Sequence, residues 1–251
     1  MLKKTFIRSL YVIPATAAVI LFATYLWHPN YLITPPQLSG FAEQIEETVA
    51  VLMIVFYSFL LPNRFEIELG LVNGYGTLKL AASKAFPVFV YSVLTSFAAV
   101  AAYRYTPYDL KNYKSFLPIY VPDDFRIYVF ISVFTVLLFF SSVYFFFRVL
   151  TRNCFIPVII DLAVFSALWS ISEGIRKGIS DLRLSLVDPF ITRYFVGNTV
   201  PNAYSEQMEG MSALKNAWTV NRLIFLILSL ALLAATVFLL RREKLHKGVG
   251  E

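Results

Sequence analysis

The chain has 251 residues, 58% of them hydrophobic, 17% aromatic and 15% charged, with a net charge of +6, where soluble domains carry roughly 25% charged residues. Twenty-four Phe and 15 Tyr beside only 10 Gly point to long apolar helices and away from a barrel, whose strands alternate in polarity. One Cys excludes a disulfide framework within the chain, and two His leave little for a histidine-based metal site.

The pattern predicts an all-α polytopic membrane protein: one transmembrane domain over 1–251, with six spans at about 10–27, 43–61, 85–103, 125–147, 154–173 and 222–240. At about 1.5 Å of rise per residue, 18 residues cover most of a roughly 30 Å hydrocarbon core. Lys3, Lys4 and Arg8 precede the first span, but Leu10–Trp27 is too long for a signal-peptide core and lacks a small-residue cleavage site. The second span is apolar only from Thr48 to Leu61 and is extended back through Glu43, Glu46 and Glu47. Those carboxylates share one face at a helix N-terminus, where the macrodipole favours them. They are either a solvated helix start or the entrance of a pathway.

Between the second and third spans lies a polar loop, 62–84, carrying Arg64, Glu66, Glu68, Lys79 and Lys84. A charge in hydrocarbon costs about 2.5 to 3.5 kcal/mol even on the lenient insertion scale, so this loop belongs in water or against another protein. Phe65, Leu69 and Val72 recur at helical intervals until Asn73-Gly74 stops the run. A second short helix is expected from about Thr77 to Ala85. The loop reads as an amphipathic docking element; the plainer reading is a solvated connector.

The fourth span is aromatic nearly all round and is expected to face lipid or a dimer partner rather than to stack a bound drug. Cys154 reads as a free interfacial thiol. Asp161 is the one acid deep in a span, a functional candidate by default. The alternative for it is a structural pairing with Arg148 or Arg152. Pro14, Pro87 and Pro157 fall within or at the starts of spans, where they shape packing.

Residues 104–124 read as an ordered outer loop, and 176–221 as a longer outer segment, too long for a plain connector. Its run LRLSLVDPFITRYF is apolar enough to dip partway into the membrane as a hairpin before the last span, provided its backbone is buried in protein or lines water. Twelve Lys or Arg fall on the expected inner side and ten on the outer, the inner ones concentrated in short loops and tails. That favours both termini inside. It also accounts for the net positive charge, and no basic face with interleaved aromatics calls for nucleic acid. There is no phosphate-binding G-x-x-x-x-G-K-[ST], no H-E-x-x-H, no G-x-S-x-G and no pair of intramembrane carboxylates. The chain is therefore expected to perform no catalysis and to bind no cofactor or metal.

The run Glu66, Glu68, Asn73-Gly74-Tyr75, Ser83-Lys84 and Pro87 resembles the loop between the second and third spans of ABC-2 type permeases, the membrane subunits of type V ABC transporters. It is also similar to the pattern of the G-subfamily half-transporters. The likeness of topology covers nearly the whole chain, and that of sequence about 25 residues. The resemblance implies an ABC-2 exporter fold in a plasma membrane, and a permease that pairs with a second permease subunit around a pathway. Each is docked on a cytoplasmic ABC ATPase, which would hold the ATP and Mg. It also implies that the helix from Arg64 to Val72 is the coupling helix. Arg64, Phe65, Glu66, Glu68, Leu69, Tyr75, Lys79 and Lys84 would then form the ATPase interface. The short N-terminal segment and the lack of a fused ATPase depart from many relatives and leave the subfamily, and with it the substrate, open. Two rival readings are a non-transporting membrane module that recruits a cytoplasmic partner and an intramembrane enzyme acting on lipid through Asp161.

Overall fold

The computed structural model describes residues 76–104, 125–153, 155–176, 186–189, 191 and 207–246. Expected spans 10–27 and 43–61, with Glu43, Glu46 and Glu47, lie outside the described residues. So do Arg64, Phe65, Glu66, Glu68, Leu69, Tyr75 and Cys154. Four helices carry the rest: α1 (Thr77–Arg104), α2 (Phe125–Thr151), α3 (Phe155–Arg176) and α4 (Gln207–His246). Ile127–Thr151, Phe155–Ser172 and Leu214–Arg242 are long and apolar enough to cross a membrane, and they coincide with the expected spans 125–147, 154–173 and 222–240. The chain is a helical membrane protein.

Ring contacts fix the directions. Phe97 meets Phe130 and Phe89 meets Phe134, so α1 runs against α2. Tyr128 meets Trp218 and Phe139 meets Phe225, so α4 runs parallel to α2. Phe140 meets Phe165 near the middle of the α2–α3 pair, as a tight hairpin requires. One end of the bundle therefore gathers the start of α1, the α2–α3 turn and the C-terminal part of α4. This is called the turn end below.

Helix α1 begins where the short second helix is expected, with the Leu80 amide donating to the Gly76 carbonyl at 2.9 Å. It does not stop at Ala85. It runs unbroken for 28 residues into the expected third span. No Gly, Asn or Asp interrupts Thr77–Arg104, and Pro87 by itself does not end a helix in an apolar setting. The last part of the polar loop, from Thr77, and the span thus lie on one continuous helix.

The expected lipid-facing role of the Phe-rich span is overturned. In α2, 72% of the membrane-crossing stretch is buried, against 17% in α3 and 22% in α4. Phe140 and Tyr144 are its largest fully buried side chains. A helix that is apolar all round is what a central position demands, because each of its faces meets another helix. Large exposed apolar side chains lie instead on α3 and α4, where Ile159, Trp169, Ile227, Leu230 and Phe238 are exposed while Asp161, Ser172, Asn221 and Arg222 are buried, and on α1 with Phe86 and Phe97. Large apolar groups outside and polar groups inside is a surface made for hydrocarbon.

The α2–α3 turn is closed by local chemistry. Arg152 adopts a left-handed conformation, φ 57°, and its amide donates to the Arg148 carbonyl at 3.2 Å, ending α2 as a C-terminal cap does. One residue later the Asn153 side-chain oxygen accepts from the Phe155 amide at 2.8 Å and starts α3. Pro157 then falls in the first turn, where its missing N–H is harmless.

Helix α4 has 40 residues, about 60 Å long by helical rise. It begins well before the expected start of the last span, so 207–221 are helical rather than part of an irregular outer segment. The sequence carries the reason: Leu214, Ala217, Trp218, Asn221, Arg222 and Phe225 recur at helical spacing, and all six are buried.

Candidate functional site

The densest polar contact in the described residues lies where α2, α4 and the irregular segment 186–191 meet. Asn221 and Arg222 sit seven and eight residues inside the apolar stretch Leu214–Arg242, roughly 10 to 12 Å in by helical rise. Asn221 is 0% and Arg222 4% exposed. The Asn221 side-chain amide donates to the carbonyls of Leu186 and Asp188, both at 2.9 Å. The Arg222 guanidinium donates to the Pro189 carbonyl at 2.7 Å through one nitrogen. Through the other it reaches the Ser132 carbonyl and the Thr135 hydroxyl, both at 3.2 Å. One turn earlier, the Trp218 indole N–H donates to the Ser132 hydroxyl at 2.9 Å and its ring packs edge-on against Tyr128.

The physical logic is one of satisfying backbone. Segment 186–191 is not α-helical, yet Asp188 and Ile191 are 0% exposed. A carbonyl outside a helix needs a donor from elsewhere, and an unsatisfied one costs several kcal/mol in hydrocarbon. Side chains of α4 supply the missing donors. Arginine suits the task because its planar fork reaches two helices at once. The Phe225 ring, 5.8 Å from the guanidinium, adds a π face. This interlock holds the segment at the level of Ser132 and Thr135, on the apolar side of the helix ends.

Asp161 occupies the α3 face turned to α2, on the same stripe as Pro157 and Phe165, and is 0% exposed. Neither carboxylate oxygen has a hydrogen-bond partner. The expected structural pairing with Arg148 or Arg152 is therefore not formed. The spacing explains why: the Phe140–Phe165 contact sets Asp161 opposite Tyr144, one turn deeper than Arg148. Lys79 is exposed in the first turn of α1, and Lys84 follows on the same helix. Lys79 lies at the turn end, away from the interlock. Among the described residues no group of three His, Cys, Asp or Glu side chains can hold a metal ion.

The interlock is not among the sites expected from the sequence. Arg222 stands there only as the first residue of the last span. The signal that finds it is the helical stripe from Leu214 to Phe225 continuing through an Asn and an Arg. Polar side chains on a buried stripe imply polar partners on the neighbouring elements. Comparison with protein-family models, with curated proteins and with solved structures gives no match for the chain.

Proposed function

We propose that this chain is the membrane-spanning permease subunit of an ATP-driven exporter of the ABC-2 kind, working as a dimer in the plasma membrane and driven by a separate cytoplasmic ATPase. The observation that carries the reading is the continuity of α1. Lys79 and Lys84, in the loop whose sequence resembles the coupling region, stand on the same 28-residue helix as the third span. A push on the end of the loop from Thr77 is then delivered along one continuous helix into the span, which is what rigid-body coupling requires. The alternation of helix direction through α1, α2, α3 and α4 is consistent with both termini on one side. In this reading, segment 186–191 is a re-entrant element on the outer half of the pathway, and the interlock ties its movement to α2 and α4.

The experiment is affinity purification of the tagged full chain in mild detergent, with identification of every co-eluting protein. The expected result is a stoichiometric ABC ATPase that is lost, with membrane insertion intact, in Phe65→Asp and Glu66→Lys variants. A clean homo-oligomer without ATPase, or variants that keep both the ATPase and normal turnover, refutes the reading.

A further inference from the structure

A second feature lies at the turn end, away from the interlock. Between α1, α2 and α4 there is a cleft of about 240 Å³ lined by Ala82, Phe86 and Phe89 of α1, Ser141 and Phe145 of α2, and Leu233 of α4. Its wall is almost entirely apolar. Ser141 and Ser142 turn their hydroxyls back to the Leu138 carbonyl, at 2.8 and 2.7 Å, and so offer little to a polar ligand. A dry cavity of about 150 Å³ already admits benzene, so this one takes a run of methylenes. Phe86 and Phe89 are about half exposed at its edge.

The helix faces that line the cleft continue into cations toward the turn end. On α2 the stripe Leu138, Ser141, Phe145 reaches Arg148 one turn on, and on α1 the stripe Phe89, Phe86, Ala82 reaches Lys79. Arg241 and Arg242 of α4 are exposed at the same end. Arg148 is 7% exposed, and its guanidinium has no hydrogen-bond or ion-pair partner among the described residues. The negative end of the α2 dipole favours a cation there, and the guanidinium nitrogens are not among the buried partnerless atoms, so they open to the surface at the turn end where a headgroup can reach them. We infer that this cleft and Arg148 form a binding site for one anionic glycerophospholipid, its acyl chain in the cleft and its phosphate on the Arg148 guanidinium. Arginine forks match phosphate oxygens in pairs, and basic positions between membrane helices are where acidic headgroups collect. The inference is independent of the transport reading.

The test is native mass spectrometry of the purified full chain, equilibrated in mixed micelles with equal phosphatidylglycerol and phosphatidylcholine. Wild type is expected to retain one phosphatidylglycerol with about a tenfold preference, because the choline ammonium of the competing lipid offsets the phosphate charge that Arg148 meets. Arg148→Gln is expected to abolish the preference while still retaining lipid. Ala85→Phe, which fills the cleft, is expected to reduce retention of both lipids, with circular dichroism and elution volume unchanged. Equal retention of the two lipids by wild type overturns the proposal, as does a preference that survives Arg148→Gln. Complete displacement by millimolar inorganic phosphate assigns the cation to a free anion and also overturns it. Asp161→Asn is the control: if it reproduces the loss seen with Arg148→Gln, the arginine belongs to an internal pair and the lipid site falls.

Discussion

Arg222 carries the interlock between α4, α2 and segment 186–191, so its replacement gives a quantitative test of the site. Arg222→Ala removes three hydrogen bonds and leaves the Pro189 carbonyl without its donor. Side-chain hydrogen bonds inside membrane proteins average about 0.6 kcal/mol and reach about 1.7, so three of them amount to roughly 2 to 5 kcal/mol. The Ser132 carbonyl keeps its helical partner, and Thr135 keeps its own bonds to the Ile131 and Ser132 carbonyls at 2.8 and 3.0 Å. Only the Pro189 bond joins the segment, and the two Asn221 bonds remain, so its docking loses one bond, about 0.6 to 1.7 kcal/mol. About 1.4 kcal/mol is a factor of ten in population, so the segment opens roughly three- to fifteenfold more often. The assay is thiol labelling of an Ile191→Cys reporter, buried at 0% exposure in the wild type. Labelling is expected to accelerate roughly three- to fifteenfold with Arg222→Ala, and less with Arg222→Lys, which keeps the charge and loses the fork. An unchanged labelling rate in a folded Arg222→Ala protein refutes the interlock.

Asp161→Asn is expected to leave thermal stability within about 0.5 kcal/mol of wild type, the range of changes that break no named interaction, because its oxygens have no hydrogen bond to lose. Transport should fall more than expression; equal losses in both would favour a purely structural carboxylate. Phe140→Ala, at 0% exposure on the central helix, should cost about 3 to 5 kcal/mol. Ile159→Ala, 64% exposed on α3, should cost well under 1 kcal/mol by thermal melting in detergent. Comparable losses at the two sites would invert the assignment of core and lipid face. Asn153→Ala removes the cap of α3 and should lower stability by about 1 kcal/mol, with Asn153→Asp restoring most of it; an unshifted melting point for the alanine variant removes the cap from the account.

Hydrophobic runs alone locate α2, α3 and the membrane part of α4, because a span must be apolar over its whole length whatever it packs against. They also flag Asp161, because an acid within such a run is conspicuous without any structure. Which faces meet is another matter. In water, hydrophobicity separates core from surface, but in a bilayer both are apolar, and so a Phe-rich helix reads alike at the centre and at the edge. Only packing against three other helices put α2 inside. The same ambiguity hid Arg222: along the chain it is a charge at the mouth of a span, and its burial is decided by the Ser132, Thr135 and Pro189 oxygens, which come from elements 33 to 90 residues away. The continuity of α1 past Ala85 is likewise a structural result, since a change from polar to apolar composition does not break a helix that contains no strong stop. The sequence by itself determined that the chain enters a membrane as helices. The tertiary structure decided which polar groups those helices bury together, because hydrogen-bond partners distant in sequence leave no trace in local composition.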